Sequence, residues 1–439
     1  MSSSRPSIPQ PIRTPIQQFI EGEQASGFLL LFVTALAMGL ANFGLGDTLH
    51  HLWELPVSLQ LGSISVNETL HFWINDVLMA VFFLQVGLEI KRELTVGELS
   101  ERRKAALPMF AAVGGMLVPG LLYVAFNLGS EGKLHGWAIP TATDIAFSLG
   151  ILALVGSRVP EGVKVFLAAL AIVDDLGAII IIGVFYTSDL QPEYLGLALG
   201  VVGLMAVLNY LGARRIVTYL VPGIVLWYAF WRAGIHPTLA GVITAFAIPN
   251  NFNLSREALG DYCGHRVQDL AQGLQNKSLS RREFTEEIEN LFSRVATPAQ
   301  KLEFNLGWVV PFLIMPLFAF ANTGIVLTPA SVEGLFSPVG IGIVVGLFIG
   351  KPLGIYLLSL LVIRIGWGRL PNGVTKAHLL GAGMLAGIGF TMSIFVSGLA
   401  FAEYELQEAA KLGILLGSIL SGGVGLYFLS RTATKANLG

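Results

Sequence analysis

Asp174 and Asp175 are adjacent at positions 13 and 14 of a 26-residue apolar stretch, 162–187. Lys351 sits at position 13 of the 25-residue stretch 339–363, and Asp144 at position 9 of the 21-residue stretch 136–156. An ionisable group in the middle of a membrane span costs about 2.5–3.5 kcal/mol on insertion scales. At 1.5 Å rise per residue none of the four can reach the surface by stretching its side chain. Mutual pairing offsets part of the cost, but three carboxylates and one ammonium leave a net charge of −2, which calls for cations. On a helix Asp174 and Asp175 point about 100° apart. One can face an ion path while the other faces a partner such as Lys351, and their titrations are coupled.

The backbone is interrupted beside these charges. Ala138-Ile139-Pro140-Thr141-Ala142-Thr143-Asp144 breaks the fourth span, because proline removes a donor and disturbs the preceding turn. Gly381-Ala382-Gly383, Gly387 and Gly389 loosen the eleventh, with Thr391 and Ser393 following, and Gly350-Lys351-Pro352 can bend the tenth. Unwound backbone at membrane depth survives only where it is buried or lines a polar cavity. The two interrupted spans are the middle members of triplets 3–5 and 10–12. This suggests inverted repeats, with a site where the broken helices cross.

The wider sequence supplies the elements that hold them. Of 439 residues 54% are hydrophobic and 13% charged, against about 25% charged in soluble domains, and the mean hydropathy is +0.69. About 20 apolar residues span a bilayer, and twelve spans are expected, the shortest at 235–250. Of 27 Lys and Arg, 23 fall in the amino-terminal segment and the loops on its side, three fall on the opposite side, and Lys351 lies within a span. Both termini are therefore expected in the cytoplasm. The organisation expected is a cytoplasmic segment 1–25, spans one to eight over 26–250, a cytoplasmic loop 251–306, spans nine to twelve over 307–430 and a tail 431–439. The polar, proline-bearing start does not resemble a cleavable signal.

Two segments outside the spans have character. Residues 56–67 alternate apolar and polar on both sides of Gly62-Ser63, a β-hairpin pattern expected on the outer side. In 251–306, Ser280 and Glu283 have capping-box spacing, and Phe284, Ile288, Leu291, Phe292 and Val295 mark one helical face.

At these residues the chain resembles the NhaA-type bacterial sodium/proton antiporters. The matching stretches include Phe72-Trp73-Ile74-Asn75-Asp76, Val86-Gly87-Leu88-Glu89-Ile90-Lys91-Arg92-Glu93, Trp137 through Phe147, and Ala171-Ile172-Val173-Asp174-Asp175-Leu176-Gly177. His236-Pro237-Thr238-Leu239, Pro316 through Asn322, Gly350-Lys351-Pro352-Leu353-Gly354 and Gly387-Ile388-Gly389-Phe390-Thr391-Met392-Ser393 follow in order. The resemblance implies an all-α polytopic fold of twelve helices with crossed, discontinuous fourth and eleventh members. It implies that Asp174 and Asp175, with Thr143, bind Na+ or Li+ in exchange for protons. Asp144 would lie at the helix break and Lys351 would compensate charge there, pairing with Asp174. Asp76 matches a carboxylate of the ion funnel, and Glu89 and Glu303 match acidic residues of a pH-responsive region. The hairpin at 56–67 matches one that joins two subunits in a homodimer, and the location implied is the bacterial inner membrane. Familiar members carry histidines soon after the glutamate matched by Glu303. Here the run is Glu303-Phe304-Asn305-Leu306-Gly307, and the loop 251–300 is longer.

Other classes are excluded or left open by the residues. An intramembrane aspartyl protease needs a Gly-x-Gly-Asp motif within a span, whereas the run Gly44-Leu45-Gly46-Asp47 falls at the very end of the first apolar stretch, 26–45. The seven histidines form no His-Glu-x-x-His motif, no phosphate-binding loop occurs, and no cofactor is expected. His236 reads as a packing or hydrogen-bonding residue at a helix end. The lone Cys263 can form no intrachain disulfide, and the net charge of −2 gives no reason to expect nucleic acid. Proton- or sodium-coupled symport of an organic solute stays open as the alternative.

Overall fold

The computed structural model describes residues 24–62, 64–129, 133–187, 190–250, 256–276 and 280–436. Residues 1–23 of the expected amino-terminal segment and 437–439 of the tail lie outside that set.

Helix α1 (Ala25–Trp53) kinks at Gly44, whose φ of +92° suits glycine. Strands β1 (Pro56–Leu61) and β2 (Ile64–Thr69) pair antiparallel, from Pro56 opposite Thr69 to Leu61 opposite Ile64. The hairpin thus runs two residues beyond the expected 67. Helix α2 (Leu70–Thr95) starts where the Thr69 hydroxyl accepts from Phe72 N at 3.2 Å, and α3 is Arg103–Asn127. The fourth span, α4 (Lys133–Val155), is a 3-10 helix over Lys133–Thr141 and an α-helix over Ile145–Val155, with residues 142–144 helical in neither sense. Helices α5 (Glu161–Phe185), α6 (Pro192–Tyr210), α7 (Val217–Ala233) and α8 (Leu239–Ala247) follow.

The long loop contains two helices, α9 (Arg256–Gln275) and α10 (Arg281–Val295). The expected capping box closes in both directions at the start of α10. Ser280 N donates to Glu283 Oε2 at 2.8 Å, and Glu283 N donates to Ser280 Oγ at 3.2 Å. Helix α11 (Pro298–Asn322) begins inside the expected loop, because Thr297 and Gln300 form a second capping box with Pro298 in the first turn. Helix α12 (Pro338–Ile365) widens into a π-turn over Gly346–Gly350, where a bend was expected. Helices α13 (Lys376–Ala386) and α14 (Phe390–Ala400) form one span bent by 49°, and α15 is Tyr404–Ala436.

Among the described residues nine helices are long and apolar enough to cross a membrane, and the bent pair makes ten. The remaining two of the expected twelve are short: α7 has 17 residues and α8 has nine. Nine residues rise about 13–14 Å, under half of a ~30 Å hydrocarbon core.

The helices group into two compact units. One comprises residues up to Asn75, Val96–Tyr186 and the chain from Pro311. The other comprises Asp76–Thr95 and Thr187–Val310. In the first, α3 and α12 cross where Gly114 and Gly354 meet. A Cβ on Gly354 would come within 2.1 Å of the Gly114 carbonyl oxygen, so only glycine permits this approach. In the second, Leu84, Leu88, Tyr219, Leu226, Phe230 and Leu302 share one apolar core. There Lys91 Nζ donates to Phe246 O at 2.7 Å and also to Ile248 O, capping the carbonyl end of α8.

Candidate functional site

In the first unit the two helix breaks lie against each other. Asp144 N donates to Ile388 O at 2.7 Å, and Ser393 Oγ donates to Ile139 O at 2.7 Å. The ladder bonds missing from each break are thus partly replaced by the other. Asp144 caps the α-helical half of α4. Its Oδ1 accepts from Phe147 N at 3.0 Å, beside the positive end of the helix dipole. Its Oδ2 accepts from Thr391 N at 3.2 Å and from Thr391 Oγ1. The carboxylate therefore has several protein donors and ties the start of α14 to the break in α4.

Asp174, Asp175, Thr143 and Lys351 are all buried. Asp174 Oδ2 receives Lys351 Nζ at 2.9 Å and Thr143 Oγ1 at 2.6 Å. Lys351 Nζ also donates to Thr141 O, so the ammonium is held by the unwound backbone as well as by the carboxylate. Asp174 Oδ1 is buried with no hydrogen-bond partner among the described residues. Thr143 Oγ1 lies 3.0 Å from Ala386 O as well. A hydroxyl has one hydrogen and two lone pairs, so it donates to one of these oxygens at a time and keeps an acceptor face. Asp175 follows on the same helix, within electrostatic range of Lys351. The result is a buried cluster of hard oxygen atoms beside one fixed ammonium. This donor chemistry fits a small alkali cation or a proton.

The other expected residues lie in the second unit. Asp76 Oδ1 is 3.7 Å from His236 Nε2, with both side chains largely buried, and His236 Nδ1 lies 2.7 Å from Thr238 Oγ1. His236 is thus a hydrogen-bonding residue beside the start of α8, as expected, and lies against Asp76 as well. Glu89 Oε1 accepts from Gln85 Nε2 at 2.9 Å. Glu303 forms an ion pair with Arg92, whose guanidinium also reaches Glu93 at 3.2 Å.

Reading the residues alone overlooked Thr391, Gln85 and Arg92 as partners of the acidic groups. A polar residue two positions after a Gly-Ile-Gly break is the signal that points to Thr391. Gln85, one helical turn before Glu89 on a span, could have been found by i, i+4 spacing.

Residues 17–429 match the family described as Na+/H+ antiporter 1. The chain is 45% identical over 426 residues to Na(+)/H(+) antiporter NhaA 1 of Klebsiella pneumoniae, covering 96% of this chain and 98% of that one. It is 46% identical over 417 residues to Na(+)/H(+) antiporter NhaA of Salmonella arizonae and to that of Escherichia coli K12, in each case over 94% of this chain and 97% of the relative. With its buried aspartate–lysine centre between two broken helices, the chain belongs to the Na+/H+ antiporter 1 family.

Proposed function

We propose that the protein exchanges Na+, or Li+, for protons across the bacterial inner membrane, and that Asp174 and Asp175 carry the exchange. The observation that carries this reading is the half-occupied Asp174 carboxylate: Oδ2 holds Lys351 and Thr143, while Oδ1 has no hydrogen-bond partner among the described residues. A dehydrated alkali cation needs several oxygens. Asp174 Oδ1, the Asp175 carboxylate and the acceptor face of Thr143 supply them, and a proton competes for the same atoms. Lys351 keeps Asp174 compensated when neither is bound. Asp144 acts by holding the two breaks together. Two carboxylates that release two protons for one Na+ move net charge, so the cycle is electrogenic and serves sodium and pH homeostasis. Asp76 lines the cation path, and Glu89 and Glu303 tune the response to pH. The protein works as a homodimer joined through the hairpin, with both termini in the cytoplasm. Symport of an organic solute, open on the residues alone, finds no support in a family described by Na+/H+ antiport.

The test is proton movement in vesicles on addition of Na+ or Li+, with no organic solute present. Wild type should move protons, and Asp175→Asn and Asp174→Asn should not, although both proteins insert. Near-normal exchange by Asp175→Asn would overturn the assignment.

A further inference from the structure

The first unit holds a cavity of about 860 Å3 between the starts of α3 and α5 and the segment that follows α12. Its rim is charged. Glu98 precedes α3, Arg103 and Lys104 lie in the first turn of α3, Glu161 opens α5, and Arg369 follows α12. Its wall is apolar, formed by Leu107, Val165, Phe166 and Ala169 further along the same two helices. From Arg103 to Leu107 the rise is about 6 Å, and from Glu161 to Ala169 about 12 Å. Polarity therefore falls from rim to wall along the direction in which the helices enter the membrane. A soluble anion would use the rim alone, whereas a molecule with a charged head and a hydrocarbon tail uses both.

The location agrees with such a ligand. The rim belongs to the end of the spans that carries the basic stretches 91–104 and 364–376. Trp367, also on the lining, is 60% exposed, as an aromatic ring at headgroup level would be. Signs are mixed on the rim: three cations stand with two carboxylates, and Lys104 is engaged at 3.2 Å by Glu101. A head that carries both a phosphate and a primary ammonium matches this mixture better than a purely anionic one. Guanidinium groups suit the phosphate because their planar fork meets two of its oxygens.

We propose that this cavity seats a phospholipid of the phosphatidylethanolamine class, its phosphate between Arg103 and Arg369, its ammonium toward Glu161 and one acyl chain along Val165, Phe166 and Ala169. The proposal rests on the chain being a membrane protein and is independent of the exchange chemistry.

The test is native mass spectrometry of the delipidated full-length protein, titrated separately with phosphatidylethanolamine, phosphatidylcholine, phosphatidylglycerol, glycerophosphoethanolamine and inorganic phosphate. Phosphatidylethanolamine should bind best. Arg103→Gln with Arg369→Gln should weaken it about tenfold, as loss of a charge-assisted hydrogen bond would. Glu161→Gln should erase the preference over phosphatidylglycerol, and all variants should still exchange Na+ for protons in vesicles. If the double variant does not survive purification, Val165→Trp narrows the wall and should lower lipid binding by itself. Unchanged lipid binding in these variants would overturn the proposal. So would binding of the headgroup or of inorganic phosphate as tight as that of the lipid.

Discussion

At the scale of single residues, the Lys351–Asp174 pair is fully buried on both sides. Removing one member of such a pair leaves an uncompensated charge and costs about 3–5 kcal/mol. Lys351→Ala is therefore expected to lower the melting temperature well below that of Lys351→Arg, which keeps the charge. Lys351→Ala should also change the pH profile of exchange. Thermal unfolding in detergent, together with vesicle assays across pH, checks both. Identical melting and identical pH profiles would remove Lys351 from either role. Thr391→Val deletes the hydroxyl that donates to Asp144. A hydrogen bond to a charged group contributes about 1.5–3 kcal/mol, so this variant should melt lower while Thr391→Ser stays near wild type. The same unfolding measurement decides it. Equal melting of the Val and Ser variants would show that the contact does not hold the breaks together.

At the scale of elements, the break before α14 depends on the absence of a side chain. A Cβ on Gly389 would lie 2.1 Å from Ser393 Oγ and 3.1 Å from Ala142 O, and Ser393 is itself tethered to Ile139 O. Gly389→Ala is expected to cost roughly 1–3 kcal/mol through overpacking and to slow exchange, because the crossing is displaced. A variant with wild-type melting and turnover would contradict this. Outside the spans, the Ser280 backbone N–H and hydroxyl hold the Glu283 carboxyl below its usual range. A carboxyl depressed in the folded state stabilises the helix start above its unfolded value, and this contribution is lost as pH falls through the folded value. The cap on α10 should therefore loosen in acid. An NMR titration of labelled Glu283 should give a pKa below that of an ordinary glutamate, and Ser280→Ala should return it upward. A wild-type Glu283 that titrates as an ordinary glutamate would refute the cap.

At the scale of the whole molecule, the hairpin presents Val57 and Leu59 to the exterior, and both strands of a two-stranded sheet are edges. Deleting 56–67 should shift detergent-purified protein from dimer toward monomer while each subunit still transports. An unchanged dimer population would exclude the hairpin as the main contact. If two protons move for one Na+, as proposed, exchange should be voltage-sensitive, at about 2.3 kcal/mol per charge per 100 mV. Competition at Asp174 and Asp175 should lower apparent sodium affinity as pH falls, without a dedicated sensor. Glu303→Gln and Glu89→Gln should then shift the pH profile only modestly. Vesicle assays with and without a potassium–valinomycin clamp, over a pH series, test this. Voltage-insensitive exchange, or a sodium affinity independent of pH, would defeat it.

Asp144, Asp174, Asp175 and Lys351 stand out in the chain by themselves, because a charge inside an apolar run is costly wherever the helix packs. The breaks at 138–144 and 387–389 are legible for a local reason, since proline and glycine act on their own turn. The β-hairpin and the capping box at Ser280 are local as well. Helix α9 escaped notice because its apolar residues keep no strict period and the helix is polar overall. The shortness of α8 was expected from the sequence, and Pro249 stops it locally by holding Ile248 extended; folding adds Lys91, which caps its carbonyls from a position 155 residues before Phe246. The division of labour among the aspartates was likewise decided by folding. Thr391 lies 247 residues from Asp144, and only the meeting of the two breaks makes Asp144 a tie, while Asp174 Oδ1 finds no hydrogen-bond partner among the described residues. Burial cost and turn chemistry are carried by neighbours in sequence, whereas hydrogen-bond partners across a crossing exist only once the chain has packed.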